Sequence, residues 1–492
     1  MKNPTYTIFE AFYAVVKHYL GVPRKKNSLF LQLLLIPLTF ITLLLFGIIF
    51  LLSIMFYFGI KVCVMYKEGD KFAGMMTGQD PVMSPIVINA LYTIKVSDKF
   101  ELHKNVQDLL LKHVYGSCNK MNYLIRSYLG YYYFIKSHLK LSDYVQEIES
   151  QELIWSQSSL LDYIAKNVID NNKIGDKTWM LTTFKQPVEW GDGSKKYVFI
   201  LSVNHSVSDG FGLFSLFKNK ICDKFEFLNL STKTDLSSQS IPNQSLDDAY
   251  MIPLIPLERN KENPKGLLTF FIETEPKYLK FIKNQKEKLK VGVTQILVSG
   301  FLIALIEYMD KKGIVKPKLS VSFTFKPFDT ETIEMINGNF NFDNIKNNAY
   351  IGISSVDTSS SKNMISAALN LKQCFRKYLK SVNLMFSIAL INFAHLFPPW
   401  FHVGSLIINK GLANVFISNV TGIKCAGFDN IDMDNIVFFL SPGSFNFGIC
   451  VITYGNKFHI AVQANTGIVD SRDDLNQIVE SAFKHIDSLG NI

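Results

Sequence analysis

The sequence lacks several motifs by which catalytic sites are usually found. It contains no Gly-x-Ser-x-Gly turn for a hydrolase serine, no His-Glu-x-x-His zinc helix, no Walker loop and no Gly-x-Gly-x-x-Gly turn. Its six cysteines are scattered and form no Cys-x-x-Cys pair. This pattern disfavours a zinc site or a disulfide framework and is typical of a reducing compartment.

Charge is also scarce, and no region is strongly basic. Only 19% of the 492 residues are charged, while 48% are hydrophobic. The formal net charge of +9 comes from 51 basic and 42 acidic residues, which are dispersed along the chain. Because no long Lys/Arg run is interleaved with aromatic residues, we do not expect a nucleic-acid partner. The mild positive balance suits an anionic membrane surface or the phosphates of a substrate.

The longest uncharged stretch covers residues 28–60 and follows a basic N-terminal segment, residues 1–27. As one helix it would be about 50 Å long, whereas the hydrocarbon core of a bilayer is about 30 Å thick. A cleaved signal peptide is disfavoured, since the run is far longer than an h-region and no small-residue cleavage site follows it. The sequence therefore predicts a membrane anchor that tilts, kinks or turns back, with Pro37 and Gly47 as candidate break points.

The rest of the chain is long enough for two halves. A stretch rich in Ser, Asn, Asp, Pro and Lys, residues 229–266, is typical of a crossover linker between a half at 70–228 and a half at 267–492. Hydrophobic patterning predicts strands at 86–96, 196–204, 267–273, 318–325, 413–418, 446–454 and 457–464, and helices at 102–114, 157–170, 211–217, 293–310 and 471–489. A second apolar stretch, 385–408, is either a buried helix and turn or a surface that dips into the bilayer.

One polar segment, residues 204–210, contains a candidate catalytic residue. Directly after the apolar run 197–203, the chain reads Asn-His-Ser-Val-Ser-Asp-Gly over residues 204–210. A histidine at the end of a rigid strand can act as a base near neutral pH, so His205 is the candidate catalytic base. Asp209 is placed to bind backbone amides of the turn, and Gly210 can take the positive φ of a sharp turn. On these letters alone, a core histidine beside a chance Asp-Gly stays an alternative.

The element resembles the His-His-x-x-x-Asp-Gly signature of the CoA-dependent acyltransferase superfamily. Residues 75–488 resemble one branch of it, the bifunctional wax ester synthase/diacylglycerol acyltransferases. Further segments carry the resemblance in the same order, namely the aromatic run 129–134, Trp-Met-Leu at 179–181, Val-Thr-Gln-Ile-Leu at 293–297 and Ser-Asn-Val-Thr-Gly at 418–422.

This resemblance implies an α/β fold of two chloramphenicol-acetyltransferase-like domains, with a tunnel at their interface and His205 midway along it. It implies transfer of a fatty acyl group from acyl-CoA, a substrate rather than a cofactor, to a fatty alcohol, diacylglycerol or both. His205 and Asp209 would be the catalytic positions, supported by Asn204 and Gly210. Substrate would contact three further positions, namely Trp179, Thr294 and Asn419. No metal or other cofactor is expected, and the oligomeric state is left open.

The chain departs from the family pattern at three places. Asn204 replaces the first histidine of the signature, Thr294-Gln295 replaces an Asn-Asp pair, and Thr421 replaces a proline. Asparagine can donate and accept hydrogen bonds beside His205 without carrying charge, so we expect Asn204→His to preserve or raise activity. Two alternatives stay open: a CoA-dependent acyltransferase with a different acceptor or a short-chain donor, and a non-catalytic, membrane-tethered lipid-binding homologue.

The expected topology follows from charge, glycosylation sequons and the substrate. Basic residues 24–26 would hold the N-terminus in the cytosol, and a re-entrant hairpin in 28–60 would keep the body there as well. Residues 204–206 and 419–421 are sequons in elements expected to line the site, where a glycan would not be tolerated. Because acyl-CoA is cytosolic, we expect a cytosolic body at an endoplasmic-reticulum-type membrane.

Overall fold

The computed structural model of the chain describes residues 29–95, 118–150, 153–170, 174–228, 265–314, 316–326, 330–359, 363–379, 388, 392–397, 414–428, 431–441 and 446–491. Four predicted segments fall wholly or largely outside these residues: the basic segment 1–27, the helix at 102–114, the linker 229–266 and the apolar stretch 385–408.

The N-terminal half alternates strands with short helices. Its helices are α1 (Leu29–Glu68), α2 (Asp80–Met83), α3 (Gln157–Ile164) and α4 (Gly210–Leu216). Its strands are β1 (Phe72–Met75), β2 (Val87–Lys95), β3 (Tyr123–Tyr128), β4 (Tyr131–Lys136), β5 (Val145–Ile148), β6 (Trp155–Ser156), β7 (Trp179–Phe184), β8 (Val188–Glu189), β9 (Lys195–Asn204) and β10 (Lys224–Phe227).

The C-terminal half has longer helices. These are α5 (Lys277–Leu289), α6 (Val293–Lys311), α7 (Thr330–Asn337), α8 (Met364–Leu379) and α9 (Arg472–Ser488). Its strands are β11 (Gly266–Ile272), β12 (Lys318–Phe325), β13 (Tyr350–Asp357), β14 (Val415–Phe428), β15 (Ile431–Asp432), β16 (Asn435–Ser441), β17 (Phe447–Tyr454) and β18 (Lys457–Asn465).

Each half has its own main sheet, and each sheet includes a strand from the other half. The N-terminal sheet has the order β16-β2-β9-β7-β5, so β16 of the C-terminal half pairs with β2. The C-terminal sheet has the order β11-β18-β17-β14-β12-β13, and β10 of the N-terminal half pairs with β14. The predicted boundaries at 70–228 and 267–492 therefore divide the chain in sequence, but they do not separate the two sheets.

The apolar sequence of the central strand β9 matches its burial in the sheet. It lies between β2 and β7, and residues 198–204 are all buried. A strand covered on both faces reads as a continuous apolar run rather than an alternating one. The run 197–203 is of this kind, and it carries the chain directly to His205.

Helix α1 is continuous over its 40 residues, which at 1.5 Å a residue gives a length of about 60 Å. It passes through Pro37 and Gly47 without a break, so the predicted re-entrant hairpin is wrong, while a kink or tilt at these residues stays a prediction. A proline removes one hydrogen bond of the ladder. The helix-forming residues on both sides of Pro37 keep the remaining bonds in register.

The C-terminal part of α1 belongs to the globular body. Tyr57, Ile60 and Val64 are buried against the small sheet β1-β4-β3 and against residues 392–397, while Met55 and Val62 on the opposite face are 71% and 65% exposed. The packed body thus begins well before residue 70, although the outer face of the same helix remains apolar.

Two helices among the described residues are long and apolar enough to cross a membrane. In the stretch Gly47–Lys71 only 17% of the apolar window is buried, whereas for α6 the figure is 61%. Helix α6 packs against α8 and α9 on the C-terminal sheet, which identifies it as a core helix. The exposed helix near the N-terminus is the candidate membrane segment.

Truncation distinguishes the two parts of α1. Removing residues 1–47 should leave the body folded, whereas removing residues 1–65 should destabilise it by about 4.5–9 kcal/mol, at roughly 1.5–3 kcal/mol for each of three buried side chains. Chemical unfolding in detergent would measure the difference.

Point variants provide a matched control. Tyr57→Ala should lower the free energy of unfolding, whereas Phe58→Ala, whose side chain is 54% exposed, should not. Equal effects of these two substitutions would contradict the docking of α1 on the body.

Candidate active site

His205 occupies the first position after β9, and its backbone is held by the neighbouring strand. Its N–H donates to the carbonyl of Ile86 at 2.8 Å, just before β2 begins. Since β9 and β2 pair along their whole length, the histidine backbone sits at a fixed point at the end of the sheet. Its half-buried imidazole faces the C-terminal half.

The hydrogen bonds around the imidazole fix its tautomer. His205 Nδ1 lies 2.8 Å from Asn347 Oδ1. Asn347 Nδ2 donates to the His205 carbonyl and, at 3.1 Å, to Asp80 Oδ1, so the amide oxygen must face the ring. An amide oxygen only accepts, so Nδ1 carries the proton and Nε2 keeps its lone pair.

The environment also keeps the ring uncharged. Burial lowers the pKa of His205 below its ordinary value of 6.5, against the opposing influence of its own carbonyl, Asp209, Asn347 and Asp80. Because the pKa is lowered, the imidazole is neutral at pH 7 and its Nε2 can accept a proton.

Asp209 holds the loop and reaches across to the other half. One carboxylate oxygen caps α4 by accepting from the N–H of Gly212 at 2.8 Å. The other accepts from Lys326 Nζ at 2.8 Å and from the N–H of Asn348 at 3.0 Å. Burial alone would raise the pKa of Asp209, but Lys326 and these amides hold it below the ordinary value. The residue is therefore an ionised structural tie.

Gly210 differs from the prediction. It is the first residue of α4, and its φ is not positive. A Cβ added there would lie 3.4 Å from Val420 Cγ2, an ordinary contact. The turn needs no left-handed glycine, because Asp209 in extended conformation is the N-cap and the helix starts directly after it.

Asn204 is fully engaged within the loop. Its Nδ2 donates to the Ser84 carbonyl at 2.8 Å, and its Oδ1 accepts from the N–H and the hydroxyl of Ser206 at 2.9 and 2.6 Å. The side chain is buried, and a larger histidine cannot reproduce these bonds. We therefore expect Asn204→His to lower stability, while its preserved or raised activity stays a prediction.

A cavity of about 340 Å³ lies between the two sheets, beside His205 and Asp209. The N-terminal sheet contributes Tyr92, Val203, Phe438 and other apolar side chains to its wall. The polar groups that line it from the C-terminal half are Thr324, Lys326, Thr332, Ser418 and Asn419. Most of the lining is aliphatic or aromatic, so the cavity suits an apolar group next to a neutral base.

Of the three predicted substrate contacts, only Asn419 lines the cavity. Its Nδ2 donates to Thr294 Oγ1 at 2.7 Å, so Thr294 acts on the site through Asn419. Trp179 is a core residue: its ring stacks on Tyr144 with 5.0 Å between centroids, and its Nε1 donates to the Met121 carbonyl at 2.9 Å. The predicted substrate contact of Trp179 is therefore corrected.

The sequence patterns identified none of the groups that bind His205 and Asp209 but lie far from them in the chain. Asn347, Asn348 and Lys326 come from the C-terminal half, and Asp80 opens the short helix α2. None stands in a motif. Only their position and polarity mark them in the sequence: Lys326 follows directly after the alternating strand β12, and Asn347 and Asn348 lie in the loop before β13. Among the described residues, no cluster of three or more His, Cys, Asp or Glu could hold a metal ion.

Comparison with known proteins supports the fold. The chain is similar to the wax ester synthase/diacylglycerol acyltransferase from Marinobacter aquaeolei VT8, at 11% identity over 84% of this chain and 96% of that one, with a TM-score of 0.51. It is also similar to a trichothecene 15-O-acetyltransferase from Fusarium sporotrichioides, at 10% identity over 84% and 94%, with a TM-score of 0.57. No protein-family model and no curated protein matches the chain. The predicted fold class, a two-domain α/β acyltransferase fold, is confirmed.

The buried ion pair gives a stability prediction. Lys326→Met leaves the Asp209 carboxylate buried without a counter-charge, which should cost about 3–5 kcal/mol at pH 7. The cost should shrink as the pH falls, because protonation of Asp209 removes the uncompensated charge. Chemical unfolding at pH 7 and pH 5 would measure both effects.

Two further variants complete this test. Asp209→Asn combined with Lys326→Met should recover part of the loss, since no unpaired charge is left buried. Lys224→Met, which removes an exposed Lys–Asp pair with a similar separation of 2.7 Å to Asp432, should have no measurable effect. A Lys326 variant as stable as the Lys224 variant would refute the structural role of the pair.

Proposed function

We propose that the protein is a membrane-associated O-acyltransferase that moves a fatty acyl group from acyl-CoA to a lipid alcohol, with His205 Nε2 as the general base. The observation that carries this proposal is the placement of a neutral, tautomer-fixed imidazole at an apolar cavity between the halves of an acyltransferase fold. The wax ester synthase/diacylglycerol acyltransferase among the similar structures supports acyl-CoA and a lipid alcohol as substrates.

The site can support acyl transfer without a covalent enzyme intermediate. Nε2 takes the hydroxyl proton of the acceptor while the alcohol oxygen forms a bond to the thioester carbonyl carbon. When the tetrahedral intermediate collapses, the carbon–sulfur bond breaks and the imidazolium returns the proton to the departing thiolate. The products are an ester and free CoA, and His205 regains its starting protonation state.

Two features favour lipid substrates over small polar ones. Aromatic side chains such as Tyr92, Phe211 and Phe416 line the cavity and would exclude water from an acyl chain. The exposed apolar face of α1 would hold the body at a membrane, where long-chain alcohols and diacylglycerol partition.

Replacement of the base provides the direct test. His205→Ala should lower acyl transfer by about two to four orders of magnitude, because it removes proton transfer without removing the cavity. The assay uses purified full-length protein, acetyl-CoA or palmitoyl-CoA with a labelled acyl group, and a fatty alcohol or diacylglycerol, with products separated by class. His138→Ala, at an exposed position of the N-terminal half, is the matched control and should retain full activity.

The protonation of His205 predicts the direction in which activity changes with pH. Only the neutral imidazole is a base, so kcat/KM should be constant above pH 7 and fall only at a pH below the ordinary histidine pKa of 6.5, because the pKa of His205 is lowered. Wild-type turnover in His205→Ala would refute the assignment. Absence of transfer from every donor in the wild type would favour the lipid-binding alternative.

We also propose that the body faces the cytosol at an endoplasmic-reticulum-type membrane. Because α1 is one continuous helix, this topology requires α1 either to lie along the membrane surface or to cross it once, with residues 24–26 on the far side. Asn204 is 4% exposed, which leaves no room for a glycan, so the folded body is incompatible with occupancy of that sequon. In intact microsomes, protease added from outside should digest the body, and endoglycosidase should cause no mobility shift. A protected, glycosidase-sensitive body would overturn this topology.

A further inference from the structure

We propose that Asn347 and Asp80 are positioning residues that set the tautomer of the catalytic imidazole, with Lys120 as the buried counter-charge of Asp80. This inference rests on the proposed function, because it concerns how His205 becomes a base. The inference assigns a role to a chain of hydrogen-bonded side chains that begins with His205 at the cavity and ends with Lys120 in the N-terminal half.

The chain is continuous, and its two central members are buried. His205 Nδ1 contacts Asn347 Oδ1 at 2.8 Å, Asn347 Nδ2 contacts Asp80 Oδ1 at 3.1 Å, and Asp80 Oδ2 contacts Lys120 Nζ at 2.9 Å. Asn347 is 5% exposed and Asp80 is 4% exposed. Groups buried to this degree are costly unless they are fully hydrogen-bonded, so their geometry is tightly specified.

The charge of Asp80 determines which end of the Asn347 amide faces the imidazole. In the observed orientation both amide hydrogens meet acceptors, the His205 carbonyl and Asp80 Oδ1. The reverse orientation would place the amide oxygen against both of these oxygens, which is repulsive. The amide oxygen is thus held toward Nδ1, and Nδ1 must carry the proton.

Lys120 extends this control to the motif loop. Besides Asp80, its Nζ donates to the carbonyls of Ser206 and Val207 at 3.1 and 3.4 Å. The cation therefore holds the two residues that follow His205, while Asn347 holds the ring and the carbonyl of His205 itself. Positioning residues of this kind typically change rates by about 10- to 100-fold when they are replaced at metal-bound histidines.

The charged groups around the imidazole form two neutral pairs. Asp80 is paired with Lys120, and Asp209 is paired with Lys326. The imidazole therefore faces two carboxylates whose charges are each compensated, and burial has the larger influence on its pKa. An uncompensated carboxylate at position 347 would change this balance.

The test compares two asparagines of one loop, the buried Asn347 and the exposed Asn344. Asn347→Leu keeps the approximate shape but removes the acceptor at Nδ1, so the ring should populate the Nε2–H tautomer. Asn344→Leu should leave it unchanged. The readout is the ¹⁵N spectrum of histidine-labelled full-length protein at pH 8 by solid-state NMR, with the His205 signals identified by their loss in His205→Ala.

Activity and pH dependence provide independent readouts. Asn347→Leu should lower kcat about 10- to 100-fold with KM near the wild-type value, as for other positioning residues. Asp80→Asn keeps the size of the side chain but removes the carboxylate charge and leaves the Lys120 cation uncompensated, and both changes lower the pKa of His205. The acid limb of its pH profile should therefore move to lower pH, which loss of packing alone would not produce.

The outcomes separate this inference from the proposed function. A changed tautomer in Asn347→Leu without acyl transfer in the wild type would support the positioning role and reject the acyltransferase assignment. Wild-type tautomer or wild-type kcat in Asn347→Leu would overturn the inference. If that variant does not fold, Asp80→Asn decides: an unshifted acid limb in an active protein, or an unshifted His205 titration by NMR, overturns it.

Discussion

The candidate catalytic loop depends on polar contacts that cross between the two halves. Asp209 and His205 belong to the N-terminal half, but Lys326, Asn347 and Asn348 hold them from the C-terminal half. Burying the Asp209 carboxylate is unfavourable unless Lys326 is in place, and an undocked half would leave this charge unpaired. The loop therefore takes its observed geometry, and the His205 imidazole its defined tautomer, only when the two halves are docked.

Strands that pair with the sheet of the other half stabilise the docking of the two halves. β16 completes the edge of the N-terminal sheet, and its Phe438 and Leu440 line the cavity, while β10 pairs with β14 of the other sheet. Each half thus uses backbone hydrogen bonds from the other to satisfy a sheet edge, which an isolated half would leave open. The cavity wall and the interface consist of the same strands, so a change in interface packing alters the shape of the site.

The sequence predicted the elements whose patterns are local and missed those defined by distant contacts. The buried strand at 196–204, the alternating strand at 318–325 and the helix at 293–310 agree with β9, β12 and α6, because their apolar patterns match their burial. Strand β16 was not predicted, although its apolar run is clear, because it pairs far from its neighbours in sequence. The family motif located His205 and Asp209. It could not locate Asn347 or Asp80, whose roles arise only when loops far apart in the chain meet.

Helix α1, the candidate membrane segment, is connected to the candidate active site through one histidine. Its Tyr57 packs edge-on against His395, with 5.4 Å between ring centroids, and His395 Nδ1 accepts the N–H of Gly78 at 3.2 Å. Gly78 lies two residues before Asp80, which bonds to the asparagine beside His205. Helix α1 is therefore linked through His395 to the segment that carries Asp80. Release of the body from α1 would remove packing that supports residues 78–80, so this helix contributes to the fold of the body.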